Sequence, residues 1–329
     1  MDTRTVILSG VLPGFIVGLT LVVAFGALPI IATRKGRRQA AGGWAAIIAD
    51  PAAGPNPAWA AAIATALAAL LPIYAFRGLP DALWPVGGAD RIWHAAALVA
   101  AMGIIAAIVF SVLARTNSTR RLPTALAMTV AAGLGAWAIL APLRAEFVGP
   151  GGAAVWGPLL GLIVGVSVYV AEAVAPKLRG WRLPAALLPI AALAAPAHFF
   201  AGFAGGAIML TGVIAALAAA LVAGILVPRL YLGGGPAAIL IAQLALLHTV
   251  TRGFAYDPGM GIAQYLLLAC APMGLLAATL PGIRSRPPWL RTAAATLACA
   301  AIASGGAAFS LAHATEPDDT NGSAADYGY

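Results

Sequence analysis

Apolar residues run through this chain in blocks of about 20, split by short polar breaks, almost from end to end. The blocks are continuous and rich in Ala, Leu and Gly rather than alternating, so they predict helices and not the strands of a barrel. About ten spans are expected, at roughly 5–33, 58–77, 91–114, 123–143, 153–176, 184–203, 206–228, 236–256, 260–281 and 290–313. No connection between them is long enough to hold a soluble domain, so residues 1–314 read as one transmembrane helical domain. Residues 315–329 (TEPDDTNGSAADYGY) are polar and acidic and read as a disordered outer tail. The first block is too long for the core of a signal peptide and is followed by four basic residues, so it reads as a retained span.

Composition strengthens this picture. Hydrophobic residues make up 61% of the 329 and charged residues only 9%, against about 25% charged in an ordinary soluble domain. The fold class is therefore all-α, a polytopic integral membrane protein built as a helical bundle. Cys270 and Cys299 each sit inside an apolar run with no CxxC or His-rich spacing nearby, and read as small packing residues.

The net charge of +8 would suggest nucleic acid in a soluble protein, but its distribution gives it another meaning. Most of the 19 Lys and Arg residues fall in alternate connections. Arg34, Lys35, Arg37 and Arg38 follow the first span, Arg115, Arg120 and Arg121 the third, and Lys177, Arg179 and Arg182 the fifth. Arg229 follows the seventh, and Arg284, Arg286 and Arg291 lie around the break after the ninth. Positive-inside topology makes that side cytoplasmic and places both termini outside (N-out, C-out), in the inner membrane if the source is bacterial. The basic balance is an address in the lipid bilayer, and nucleic acid is excluded as a partner. Each span running outward begins at a proline (Pro57, Pro123, Pro184, Pro236, Pro288), where the missing N–H costs nothing. Trp44, Trp59, Trp181 and Trp289 on the inner side, and Trp84, Trp93 and Trp156 on the outer, fit interfacial anchors.

Inside the spans, Gly157, Gly161 and Gly165 recur every fourth residue and form a flat ridge for close helix packing. That ridge serves packing within this chain, or else a membrane protein partner or a second copy. Ionisable residues at depth are few. Glu172 lies near the inner end of its span, where Lys177 or Arg179 can pair with it. Gln243 and Gln264 are the amides within spans, and interhelical hydrogen bonding is expected of them. His94, His198, His248 and His313 all fall near the outer ends of spans, and could form a cluster only if their helices are neighbours. None has a metal-ligand spacing such as HxxxH, so no metal or cofactor is assigned.

Two stretches carry the candidate chemistry. Around Ala195-Pro196-Ala-His198-Phe199-Phe200-Ala-Gly202, proline and glycines break the apolar pattern beside a histidine and aromatic rings. A tight hairpin between two spans explains the break more simply than the broken helix of an inverted-repeat transporter. In LLHTVTRGFAYD, His248, Arg252 and Tyr256 line one helical face. Here Arg252 is expected to snorkel outward towards Asp257, and Tyr256 to join the interfacial belt. His248, two turns in, needs a partner from another helix.

The binding set is thus His198, Phe199, Phe200, His248, Arg252 and Tyr256. No Walker A, GxSxG, HExxH or dinucleotide motif is present, so an enzyme is not indicated. Three function classes remain. One is a permease or channel-like protein for a small uncharged or apolar solute. Another is a non-catalytic subunit that anchors or scaffolds a membrane complex. The third is a haem-binding or other membrane enzyme using the outer histidines.

Overall fold

The computed structural model describes residues 121–141, 143, 148–226, 234–254 and 259–314. The first three expected spans and the acidic tail lie outside these residues. Within them the chain is all-helical, with six helices long and apolar enough to cross a membrane. Helix α1 is Arg121–Leu140. Helix α2 is Gly152–Val174, prolonged by the 3₁₀ turn Ala175–Lys177. Helices α3 and α4 are Arg182–Phe200 and Ala204–Leu226. Helix α5 is Gly234–Phe254, and α6 is Ile262–Cys270, continued by the 3₁₀ helix Ala271–Thr279. The short α7, Pro281–Arg284, leads into α8, Pro288–Ala314. Pro123, Pro184, Pro236 and Pro288 each fall in the first turn of a helix, where proline's fixed φ is already helical.

Helix α5 is the centre of the bundle. It packs against α1, α2, α3, α4 and α6, and every residue from Ala237 to Val250 is buried. A helix that is apolar on all sides can be stable only when neighbours enclose it. Its 21 residues cover about 31 Å, the thickness of a bilayer core. The outer helices keep one apolar stripe outward, as lipid contact requires. On α1 that stripe is Leu122, Leu126, Val130, Leu134 and Trp137, at helical spacing, and on α2 it is Val155, Leu162, Val166 and Tyr169.

The glycine ridge of α2 lies against α1. A Cβ on Gly161 would sit 2.5 Å from the Thr129 carbonyl oxygen and 3.0 Å from Gly133 Cα, and one on Gly165 would strike Thr129 Oγ1. Two backbones touch here because neither carries a side chain at the crossing. At the opposite flank, Gly274 is pressed against the backbone of Cys299 in α8. This contact falls in the 3₁₀ half of the ninth span, which the sequence pattern presents as one uniform helix. Pro272 lacks the N–H that an α-helix would use there, and the chain tightens to 3₁₀. The longer rise per residue lets only 18 residues span about 31 Å.

The α3–α4 connection is a tight hairpin, as the pattern of Pro196 and the glycines suggests. Helix α3 runs straight through Pro189 and Pro196 and stops at a left-handed Gly202, φ 79°. Phe203 N–H donates to the His198 carbonyl (3.0 Å) and Gly202 N–H to the Phe199 carbonyl (3.1 Å), the paired bonds of a Schellman stop. At its far end α4 returns to the beginning of α3, where Gly224 packs on the backbone of Gly180 and Trp181.

Gly161→Ala is expected to destabilise the protein by about 1–3 kcal/mol through overpacking. Gly282→Ala, on α7 with no atom within 4 Å of the new methyl group, is the neutral control. Thermal unfolding in mild detergent compares them; equal midpoints would mean that the α1–α2 crossing yields easily.

Candidate functional site

The last two turns of α5 carry four polar side chains in five residues, His248, Thr249, Thr251 and Arg252, and all four are buried. Neighbouring elements divide them into two faces: His248 and Thr251 meet α3, and Thr249 and Arg252 meet α6 and the segments before α2 and α6. Each threonine hydroxyl lies within donating distance of the carbonyl four residues back, Thr249 of Ala245 (2.9 Å) and Thr251 of Leu247 (3.1 Å). This habit satisfies a hydroxyl in an apolar helix without help from another chain segment.

On the first face, α3 delivers His198. Its ring Nε2 lies 2.9 Å from His248 Nδ1, and its Nδ1 lies 2.9 Å from Thr251 Oγ1. The two imidazoles stand nearly perpendicular, 87° apart with centroids at 5.1 Å, and both are fully buried. The Schellman stop holds His198 by its own carbonyl, so the turn after α3 also positions the ring. The first turn of α4 closes over it. A Cβ on Gly206 would meet Thr251 Oγ1 at 2.6 Å and His198 Nδ1 at 2.8 Å, so only glycine leaves room for the pair.

Donor accounting leaves two tautomer pairs, because a hydroxyl has one proton and that of Thr251 can go to Leu247 or to His198 Nδ1. With it on Leu247, Thr251 Oγ1 accepts from His198 Nδ1–H. His198 Nε2 is then a lone pair and accepts from His248 Nδ1–H. The chain of bonds ends at His248 Nε2, a bare lone pair that is buried and has no hydrogen-bond partner.

On the second face, Arg252 is 9% exposed. Its Nη1 donates to the Met260 carbonyl (2.8 Å) and its Nη2 to the Val148 carbonyl (2.7 Å). The guanidinium carbon lies 5.0 Å from the Trp156 ring centre and 5.6 Å from that of Tyr265, within cation–π range. Tyr265 hydroxyl meets Thr249 Oγ1 at 3.1 Å, which ties the cage back to α5. Gly149, at φ 98°, lets the chain before α2 lie close to Arg252 Nη2.

This geometry revises several sequence expectations. Of the predicted set, His198 and His248 meet. Arg252 does not snorkel but turns inward to two carbonyls and two rings; its expected partner Asp257 lies outside the described residues, as does Tyr256. Phe199 is 60% exposed and packs edge-on against Phe200 at 5.9 Å, away from the histidines. Trp156, expected among the interfacial anchors, is 6% exposed and belongs to the cage. Gln264 does not reach another helix with its oxygen, which instead accepts the N–H of Gly261 at the start of its own helix. His94 lies outside the described residues, and His313 falls in α8 with its side chain outside them. Sequence reasoning missed Thr249, Thr251, Gly206 and Tyr265. The signal available was the run of hydroxyls flanking His248, residue types that hydrogen-bond across helices in membranes.

Among the described residues, no three His, Cys, Asp or Glu side chains come close enough to hold an ion. Cys270 and Cys299 are free thiols.

Two measurements check the histidine pair. Nitrogen-15 spectra of histidine-labelled protein should show two rings protonated at Nδ1; an Nε2–H signal from either ring would overturn the assignment. Thr251→Val leaves His198 Nδ1–H without its acceptor and is expected to cost about 1–3 kcal/mol of stability, whereas Thr251→Ser retains the bond. Thermal unfolding should rank the valine variant well below the serine variant.

Comparison with known proteins adds nothing to this chemistry: no protein family, curated protein or solved structure matches the chain.

Proposed function

We propose that this membrane protein is a permease or channel-like bundle for a small uncharged solute, received at the end of the bundle that holds His198 and His248. One observation carries the reading: His248 Nε2 is buried and has no hydrogen-bond partner, and it is an acceptor in the tautomer pair with the Thr251 proton on Leu247. An orphan acceptor in an apolar setting costs stability, and a polar group at depth in a membrane is retained where it serves a pathway. A solute that donates to Nε2 removes the deficit while it is bound. His198 and Thr251 hold the ring in the tautomer that keeps the lone pair available.

Of the two candidate residues on α5, His248 is the one that meets solute. Arg252 already spends both terminal nitrogens on carbonyls and acts here as a clamp. Lys177, Arg179 and Arg182 lie at the junction of α2 and α3, and Arg284, Arg286 and Arg291 around α7 and the start of α8, so the basic residues gather at the opposite end from the histidines. On the positive-inside rule the histidine end faces away from the cytoplasm. The outward apolar stripes of α1 and α2 are what lipid requires and do not by themselves call for a protein partner.

Stopped-flow swelling of vesicles containing the full chain tests this, with water, urea, glycerol and ammonia as probes. At least one solute should cross faster than in empty vesicles. His248→Ala should lower that rate by about tenfold, the equivalent of one hydrogen bond of roughly 1.4 kcal/mol, with Arg252→Lys changing it less. Rates equal to empty vesicles for every probe would overturn the permease reading in favour of an anchoring subunit.

A further inference from the structure

The Arg252 cage presents a second deficit, independent of the histidine pair. Arg252 is a buried cation whose two terminal nitrogens are bonded to neutral carbonyls, and no acidic side chain among the described residues contacts it. Its Nε–H is buried without a partner, and so is the indole Nε1–H of Trp156 beside it. Thus, among the described residues, one cluster holds a full positive charge and two unsatisfied donors with no carboxylate against it; Glu146 and Asp257, nearby in the sequence, lie outside them. Carbonyl dipoles and ring faces offset part of the cost of burying a guanidinium, but they carry no net charge.

The guanidinium and the indole N–H belong to one compact place. The Cβ position of Gly149 is within 3.1 Å of Arg252 Nη2 and 3.5 Å of Trp156 Nε1, so the guanidinium edge and the indole N–H border the same short segment of backbone. That segment, Val148 to Gly152, immediately precedes α2, and the other carbonyl, Met260, immediately precedes α6. Arg252 is two residues from the end of α5. The cage therefore sits at the end of the bundle where α5 stops, and not at the middle of the helices.

We infer that the Arg252–Trp156 cage is an anion site that takes a phosphate-type oxyanion, with one oxygen on Arg252 Nε–H and another on Trp156 Nε1–H. Charge-assisted hydrogen bonds from a guanidinium to an oxyanion are the strong kind, and the anion supplies the negative charge that the cage lacks. The same chemistry is presented by inorganic phosphate and by the phosphodiester of an anionic lipid.

The test uses the full chain in nanodiscs, with thermal unfolding followed by circular dichroism. One arm titrates inorganic phosphate into phosphatidylcholine discs, against chloride at matched ionic strength. The other replaces phosphatidylcholine with phosphatidylglycerol and adds no free phosphate. A saturable rise in midpoint in the first arm identifies free phosphate, and a rise in the second alone identifies the lipid headgroup. Trp156→Phe keeps a ring over the guanidinium and removes only the indole N–H. It is expected to weaken the response by about tenfold or more, whereas Arg252→Gln abolishes it. No rise in either arm, or an undiminished rise in Trp156→Phe, overturns the inference. So does a response seen only in Asp257→Asn, which would mean that the chain's own carboxylate occupies the donors.

Discussion

A polar group inside a membrane has no water to turn to, and that constraint organises everything around α5. The helix is enclosed over most of its length, so its side chains must be apolar or must find partners among its neighbours. From Ala237 to Leu247 it is almost wholly apolar, with Gln243 the one amide. Its last two turns reverse this, with two histidine and arginine faces whose hydrogen bonds run to α3, to the segment before α2 and to the segment before α6. Where those partners are complete, the bundle end is stitched together. Where they fall short, at His248 Nε2 and at Arg252 Nε with Trp156 Nε1, buried nitrogens stay without a hydrogen-bond partner.

The partners are assembled by backbone features far less conspicuous than the side chains they serve. His198 reaches His248 because Gly202 in the left-handed region ends α3 one turn later, and because Gly206 lets α4 lie against the ring. Arg252 finds its carbonyls because Gly149 allows the chain to pass close beside it. The crossing of α1 and α2 likewise depends on Gly161 and Gly165. Without a hydrophobic drive between helices in lipid, close backbone approach supplies the attraction. In each case glycine acts by what it omits.

Much of the architecture was legible in the residues. The seven expected spans that fall among the described residues are helices that start and stop within a few positions of the apolar blocks, six of them long and apolar enough to cross a membrane, because length and hydropathy are local properties and a bilayer selects on them directly. First-turn prolines marked helix starts for an equally local reason. The site was legible only in part. His248 stood out as too deep to be left without a partner, and His198 as a histidine beside a turn, but no spacing within either segment says that the two helices are neighbours. Arg252 was misread because a residue one turn from a helix end can snorkel. Whether it does depends on what packs over it, and here Trp156, Tyr265 and the segment before α2 cover it.

By itself, the sequence determined that this is a helical membrane protein, where its helices lie and which few side chains would need help at depth. Each of these follows from the cost of placing a given residue in hydrocarbon. Tertiary structure alone decided which of those side chains help one another. It paired His198 with His248, drew Thr251 in beside them, enclosed Arg252 and left nitrogens of His248, Arg252 and Trp156 unpaired. These outcomes depend on helix neighbours far apart in the chain and on contacts of about 3 Å, which local pattern does not encode.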